Sequence, residues 1–149
     1  MTYEQLDFIA DCYIPFLFLL FLIRVGRRMY RHWPERSAEM FACGYLVGLL
    51  IIAYGLMLVD NTLQLWPRMG LDYSTHTAVA LVLVIGLSVV LPSMWRWFAF
   101  SLLVYAGLML YQQYHSVMDM VSTGVVIGML AALLYKLAAM RVTEKTNGA

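Results

Sequence analysis

Charge is scarce in this chain: only 13% of its 149 residues are Asp, Glu, Lys or Arg, about half the roughly 25% of a typical soluble domain. That shortage excludes an ordinary water-soluble globule. Cysteine is equally sparse. Cys12 and Cys43 are the only two, and two cysteines build no disulfide framework. Cys12 is expected in the outer half of its span and Cys43 in the inner half of its own, too far apart to pair. The net charge of +1 offers no basic face to nucleic acid, and no nucleic-acid partner is expected. Nowhere do apolar and polar residues alternate over about ten positions, the signature of a membrane β-barrel. The first eight residues hold Glu4 and Asp7 but no Lys or Arg, so the positive start of a cleavable signal peptide is not expected.

Apolar residues are abundant instead, at 62%, with a mean hydropathy of +0.74. Disorder requires the opposite composition. A helix needs roughly 20 mainly apolar residues to cross the hydrocarbon core. Five runs approach that length, at about 9–25, 40–59, 77–94, 97–114 and 117–140. Pro92 separates the third run from the fourth, because proline breaks a helix interior. The sequence therefore predicts an all-α integral membrane protein, a bundle of about five transmembrane helices in one domain (1–149), closed by a short tail at 141–149.

Basic residues fall unevenly about these runs. Arg24, Arg27, Arg28, Arg31, Arg36, Arg96, Lys136, Arg141 and Lys145 share one side, and Arg68 stands alone on the other. Positive charge stays in the cytoplasm, so the expected amino terminus is outside and the expected carboxyl terminus inside, in a cell or inner membrane. Lys136 can snorkel outward from the last run. Gly44-x-x-x-Gly48 and Gly124-x-x-x-Gly128 read as close helix packing within the chain, or as a homo-oligomer face. Trp33, Trp66, Trp95, Trp97, Tyr111 and Tyr114 lie near run ends, as an aromatic belt does. The eleven methionines read as gap-filling or lipid-facing residues.

Chemistry-bearing residues gather in two segments, Asp72-Tyr73-Ser74-Thr75-His76-Thr77 and Tyr114-His115-Ser116-Val117-Met118-Asp119. Each opens a predicted span, and both face outside. Ser74 or Thr75 is a natural helix N-cap. His115 and Asp119 are four apart, one turn on a helix. Asp119 could then accept a hydrogen bond from one ring nitrogen and leave the other as nucleophile or base. His76 could act as general acid. Two helix amino ends pointing outward favour an anion such as phosphate.

At these residues the chain resembles the phosphatidic acid phosphatase type 2 superfamily. Ser74-Thr75-His76-Thr77 is similar to its Ser-Gly-His-Thr motif, with Thr75 in place of Gly. His115-x-x-x-Asp119 is similar to the end of its third motif. The resemblance covers about 60–128 and implies phosphoryl transfer through a phosphohistidine. His115 would attack phosphorus, Asp119 would orient it, His76 would protonate the leaving oxygen, and Ser74, Thr75 and Arg68 would bind the phosphate. The first motif of that superfamily is missing, and Met109 stands where its third motif has Arg. Trp66-Pro67-Arg68 is the only basic stretch on this side. The sphingomyelin synthase branch likewise relies on a His, His, Asp set with a reduced cationic clamp. The expected substrate is a lipid phosphate, hydrolysed or transferred, with no cofactor and no bound metal. Asp60 and Asp72 would suit a metal or a choline-like cation if either were involved. Two other functions fit the same residues: a non-catalytic membrane subunit or degenerate family member, and a bis-His haem or quinone site on His76 and His115.

Overall fold

The computed structural model describes residues 2–31 and 37–147. Five helices follow one another: α1 (Tyr3–Arg31), α2 (Ser37–Leu63), α3 (Thr75–Val90), α4 (Trp95–Tyr111) and α5 (Val117–Asn147). Short 3-10 turns at Pro67–Met69 and Pro92–Met94 lie in the α2–α3 and α3–α4 connections. Among the described residues there is no strand. The protein is an all-α helical bundle of the kind that sits in a membrane. α1, α2, α4 with its preceding turn, and α5 are each long and apolar enough to cross one.

The helix ends follow local chemistry rather than the edges of the apolar runs. α1 starts six residues before the predicted run. Thr2-x-x-Gln5 supplies the reason: the Thr2 N–H donates to Gln5 Oε1 at 3.0 Å, one half of a capping box. Pro15 therefore lies well inside α1, as neighbouring helices allow in a membrane bundle. α3 stops short of the predicted run at its other end. Leu91 precedes Pro92, is barred from the helical region by the proline ring, and sits at φ −136°, ψ 65°. α5 continues past the predicted span into the tail, to Asn147. Trp33 and Arg36 lie outside the described residues, as do the side chains of Arg141 and Lys145.

α3 is the axis of the bundle. It packs against α1, α2, α4 and α5. Ala78, Val82, Leu83 and Leu87 on it are essentially sealed from solvent. At 16 residues it is about 24 Å long, shorter than a hydrocarbon core of about 30 Å. Large exposed apolar side chains, such as Phe16, Leu19, Ile51, Leu103 and Met129, sit instead on the four surrounding helices. Exposed apolar surface on this scale is unfavourable in water and is what lipid covers.

Glycine packing differs from the sequence expectation. A Cβ on Gly48 would lie 2.9 Å from Leu134 Cδ2, so α2 and α5 approach closely there. A Cβ on Gly44, Gly124 or Gly128 would meet nothing within 4 Å, so none of the three marks a close helix approach within the chain. The second tight approach is at Gly86, where a Cβ would come within 3.1 Å of Leu46. Gly86 belongs to no glycine pair, and only the three-dimensional packing reveals it. Both cysteines are free.

Candidate functional site

One end of the bundle gathers the start of α1, the α2–α3 connection and the α4–α5 connection. The α4–α5 turn is built by two helix-ending devices placed back to back. α4 closes in a Schellman motif: the Tyr114 N–H donates to Met109 O at 3.1 Å and the Gln113 N–H to Leu110 O at 3.1 Å. Gln113 takes the left-handed conformation this needs, at φ 58°. α5 opens in a capping box. Asp119 Oδ2 accepts the Ser116 N–H at 2.8 Å, and Ser116 Oγ accepts the Asp119 N–H at 3.2 Å. His115 is the one residue between the two devices.

This placement corrects the His115–Asp119 geometry expected from the sequence. His115 stands just outside α5, so the one-turn relation of positions i and i+4 does not hold. Asp119 receives backbone N–H groups on both oxygens, from Ser116 and, at 2.8 Å, from Asp72. The imidazole of His115 is not among its hydrogen-bond partners. Asp119 is 7% exposed and acts on His115 through charge.

The α2–α3 connection is pinned onto α5 by the same end. Asp60, buried in the last turn of α2, accepts the Trp66 N–H on Oδ1 at 2.8 Å. Trp66 Nε1 donates to Ser122 Oγ at 3.0 Å, and the indole meets Tyr73 edge-on at 5.0 Å. Trp66 is therefore a buried anchor, 4% exposed, rather than part of an interfacial belt. Trp95, Trp97, Tyr111 and Tyr114 are exposed. The Ser74 N–H donates to Thr123 Oγ1 at 3.1 Å. Ser74 caps α3: its Oγ accepts the Thr77 N–H at 3.3 Å and bonds Thr77 Oγ1 at 2.8 Å. Its side chain is fully enclosed, so the capping role has claimed it and its hydroxyl does not face the outer surface.

His76, in the first turn of α3, is exposed. Its ring lies 6.3 Å from that of Tyr114, nearly parallel. Tyr114 in turn donates its hydroxyl to Asp7 Oδ1 of α1, which Gln112 Nε2 also reaches at 3.4 Å. Asp7 thus ties a third helix to the site, and no motif in the sequence singles it out. His115 is half-buried. Partial burial pushes its imidazole below the ordinary value of 6.5, and the neighbouring His76 pushes the same way, while Asp119 and Asp72 pull against them. His76, His115, Asp72 and Asp119 thus share one electrostatic neighbourhood.

Arg68 lies in the Pro67–Met69 turn with its side chain exposed and without an ion-pair partner among the described residues. Thr75 is half-buried at the first position of α3. Met109 is packed in a small core with Ala10, Ala80, Tyr105 and Met120. A buried apolar side chain therefore occupies the sequence position at which the resembled motif carries Arg. Among the described residues, no three His, Cys, Asp or Glu side chains converge as metal ligands. Compared with known protein families, with curated proteins and with solved structures, the chain finds no match in any of the three.

Proposed function

We propose that this multi-pass membrane protein is a phosphohydrolase or phosphotransferase acting on a lipid phosphate through a phosphohistidine, as a divergent relative of the phosphatidic acid phosphatase type 2 superfamily. The observation that carries the reading is the shared neighbourhood of His76 and His115, brought together from the starts of two helices that lie far apart in the chain. A half-buried imidazole held largely neutral is a competent nucleophile near pH 7. In the first step a ring nitrogen of His115 bonds to phosphorus, the bond from phosphorus to the lipid oxygen breaks, and His76 delivers the proton that oxygen needs. The buried carboxylate of Asp119 stabilises the positive charge that develops on His115. In the second step water, or an acceptor hydroxyl in a transferase, attacks phosphorus while His76 takes up its proton, the bond from phosphorus to the ring nitrogen breaks, and His115 is released. In this reading the amino ends of α3 and α5, with Thr75 and Arg68, supply the stabilisation of the developing charge.

The surroundings support a lipid as the substrate. The site lies at the end of a lipid-embedded bundle, and all the described residues belong to that bundle. The nine-to-one distribution of basic residues supports an extracytoplasmic site.

The buried Met109 favours a second reading, a non-catalytic member whose clamp has been replaced by packing. Incubation of purified protein with a panel of lipid phosphates separates the two. Catalysis predicts turnover that His115→Ala abolishes, together with trapping of an acid-labile phosphoryl group on the wild-type chain. Absence of turnover across the panel, or turnover unchanged in His115→Ala, would sink the phosphohistidine reading.

A further inference from the structure

The opposite end of the bundle carries a second feature that the outer site does not use. Arg24, Arg27, Arg28 and Arg31 line a cleft of about 590 Å³. Arg24 and Arg28 also line an adjoining cleft of about 550 Å³, whose other walls come from four helices. Those walls are largely apolar, with Val25, Phe41, Ala42, Val90 and Tyr135 among them. The start of α2, at Ser37 and Ala38, opens onto the same space.

The charge balance within this region is incomplete. Arg28 Nε contacts Glu39 Oε1 at 2.7 Å, and that carboxylate is almost fully buried. Among the described residues, Arg24, Arg27 and Arg31 have no carboxylate partner. The helix dipole accounts for cations in the last turn of α1, namely Arg28 and Arg31. It does not account for Arg24, two turns back and half-buried beside apolar walls. Arginines spaced three and four apart repel one another, and an anion between them removes that cost. The amino end of α2 adds donors of the same sign.

We propose that this pair of clefts binds one anionic phospholipid. Its phosphate sits among Arg24, Arg27 and Arg28, and an acyl chain lies along the apolar cleft between α1, α2, α3 and α5. That Arg24 and Arg28 line both clefts is the decisive geometry. A free phosphate would use only the arginine part and a hydrocarbon only the apolar part, whereas an anionic lipid uses both. The cleft lies at the far end of α3 from His76, so this lipid is distinct from the substrate of the outer site.

The test uses full-length protein in zwitterionic micelles, titrated with phosphatidylglycerol, phosphatidylcholine or inorganic phosphate and read by native mass spectrometry and thermal unfolding. Phosphatidylglycerol should be retained and should raise the unfolding midpoint, more than either other probe. Arg24→Gln with Arg27→Gln should weaken its binding about tenfold or more, since each basic residue near an anionic headgroup contributes about 1 kcal/mol. Arg96→Gln, on α4, should leave it unchanged. Val90→Phe, which narrows the apolar cleft, should weaken lipid retention only. Equal retention of the two lipids, or equal losses in the Arg24/Arg27 and Arg96 variants, would overturn the proposal. Stabilisation by inorganic phosphate equal to that by the lipid would overturn it in favour of a soluble-anion site. The comparison of lipids on the wild-type chain decides the matter even if the double variant does not fold.

Discussion

The backbone N–H of Asp72 donates to Oδ1 of Asp119 at 2.8 Å across 47 residues of chain. A single buried carboxylate thereby closes the first turn of α5 with one oxygen and fastens the α2–α3 connection with the other. The position of His76 relative to His115 depends on that bond, because Asp72 leads directly into α3.

Replacing Asp119 should therefore loosen the fold as well as any chemistry. Asparagine offers one acceptor for two amides and turns a donor toward the second. Asp119→Asn should cost about 1–3 kcal/mol, the usual penalty for a buried donor left unpaired. Ser116→Ala removes one cap bond only and should cost about 1 kcal/mol. Thermal unfolding in micelles checks the order, with the larger fall for Asp119→Asn.

The His115 imidazole sits below its ordinary value because burial outweighs the carboxylates beside it. The unfolded chain then binds a proton more readily than the folded one. The stability this group contributes is complete above about pH 6.5 and declines as the pH falls through the folded value. The acid limb of turnover should have its midpoint below 6.5 as well. Asp119→Asn removes a charge that raises the value, so it should move that midpoint further down. A pH–rate profile and an NMR titration of His115 measure both shifts. An acid limb above 6.5 would assign the nucleophile elsewhere.

Among the described residues, Arg68 is the one Lys or Arg at the histidine end of the bundle. A phosphate carries up to two negative charges, and each helix amino end supplies only about half a charge. Arg68→Ala should lose far more turnover than Arg96→Ala, and Arg68→Lys should regain part of it, because lysine cannot make the bidentate contact. Unchanged turnover in Arg68→Ala would mean that the loop arginine does not reach the substrate.

The charge asymmetry predicts an outside amino terminus and an inside carboxyl terminus. In a variant with Cys12 and Cys43 replaced, a cysteine at Thr2 should react with an impermeant reagent on intact cells, and one at Asn147 should not. Labelling of position 147 alone would reverse the orientation and move the histidine site to the cytoplasm.

Much of the architecture is written locally in the chain. Continuous apolar runs specify helices because a membrane helix satisfies its own backbone hydrogen bonds. Pro92 ends α3, and the polar residues of 112–116 end α4 and start α5, because caps and prolines act over three or four residues. The early start of α1 was legible in the same way, in Thr2-x-x-Gln5, but hydropathy alone hides it. The two histidine segments could also be picked out from the sequence, as rare polar clusters at the starts of apolar runs.

The functions of individual polar residues were decided only in three dimensions. Ser74 and Asp119 could each have served a ligand, yet each is buried and holds backbone N–H groups. Trp66 resembles an interfacial residue until Asp60 folds its loop inward and Ser122 receives its indole N–H. α3 has an ordinary apolar sequence but becomes the axis because four other helices close around it. The physical reason is common to all of these. A buried polar group must find a partner, and in this bundle those partners arrive from segments dozens of residues away, so local pattern determines where helices begin and end, while long-range packing determines which side chains remain free for chemistry.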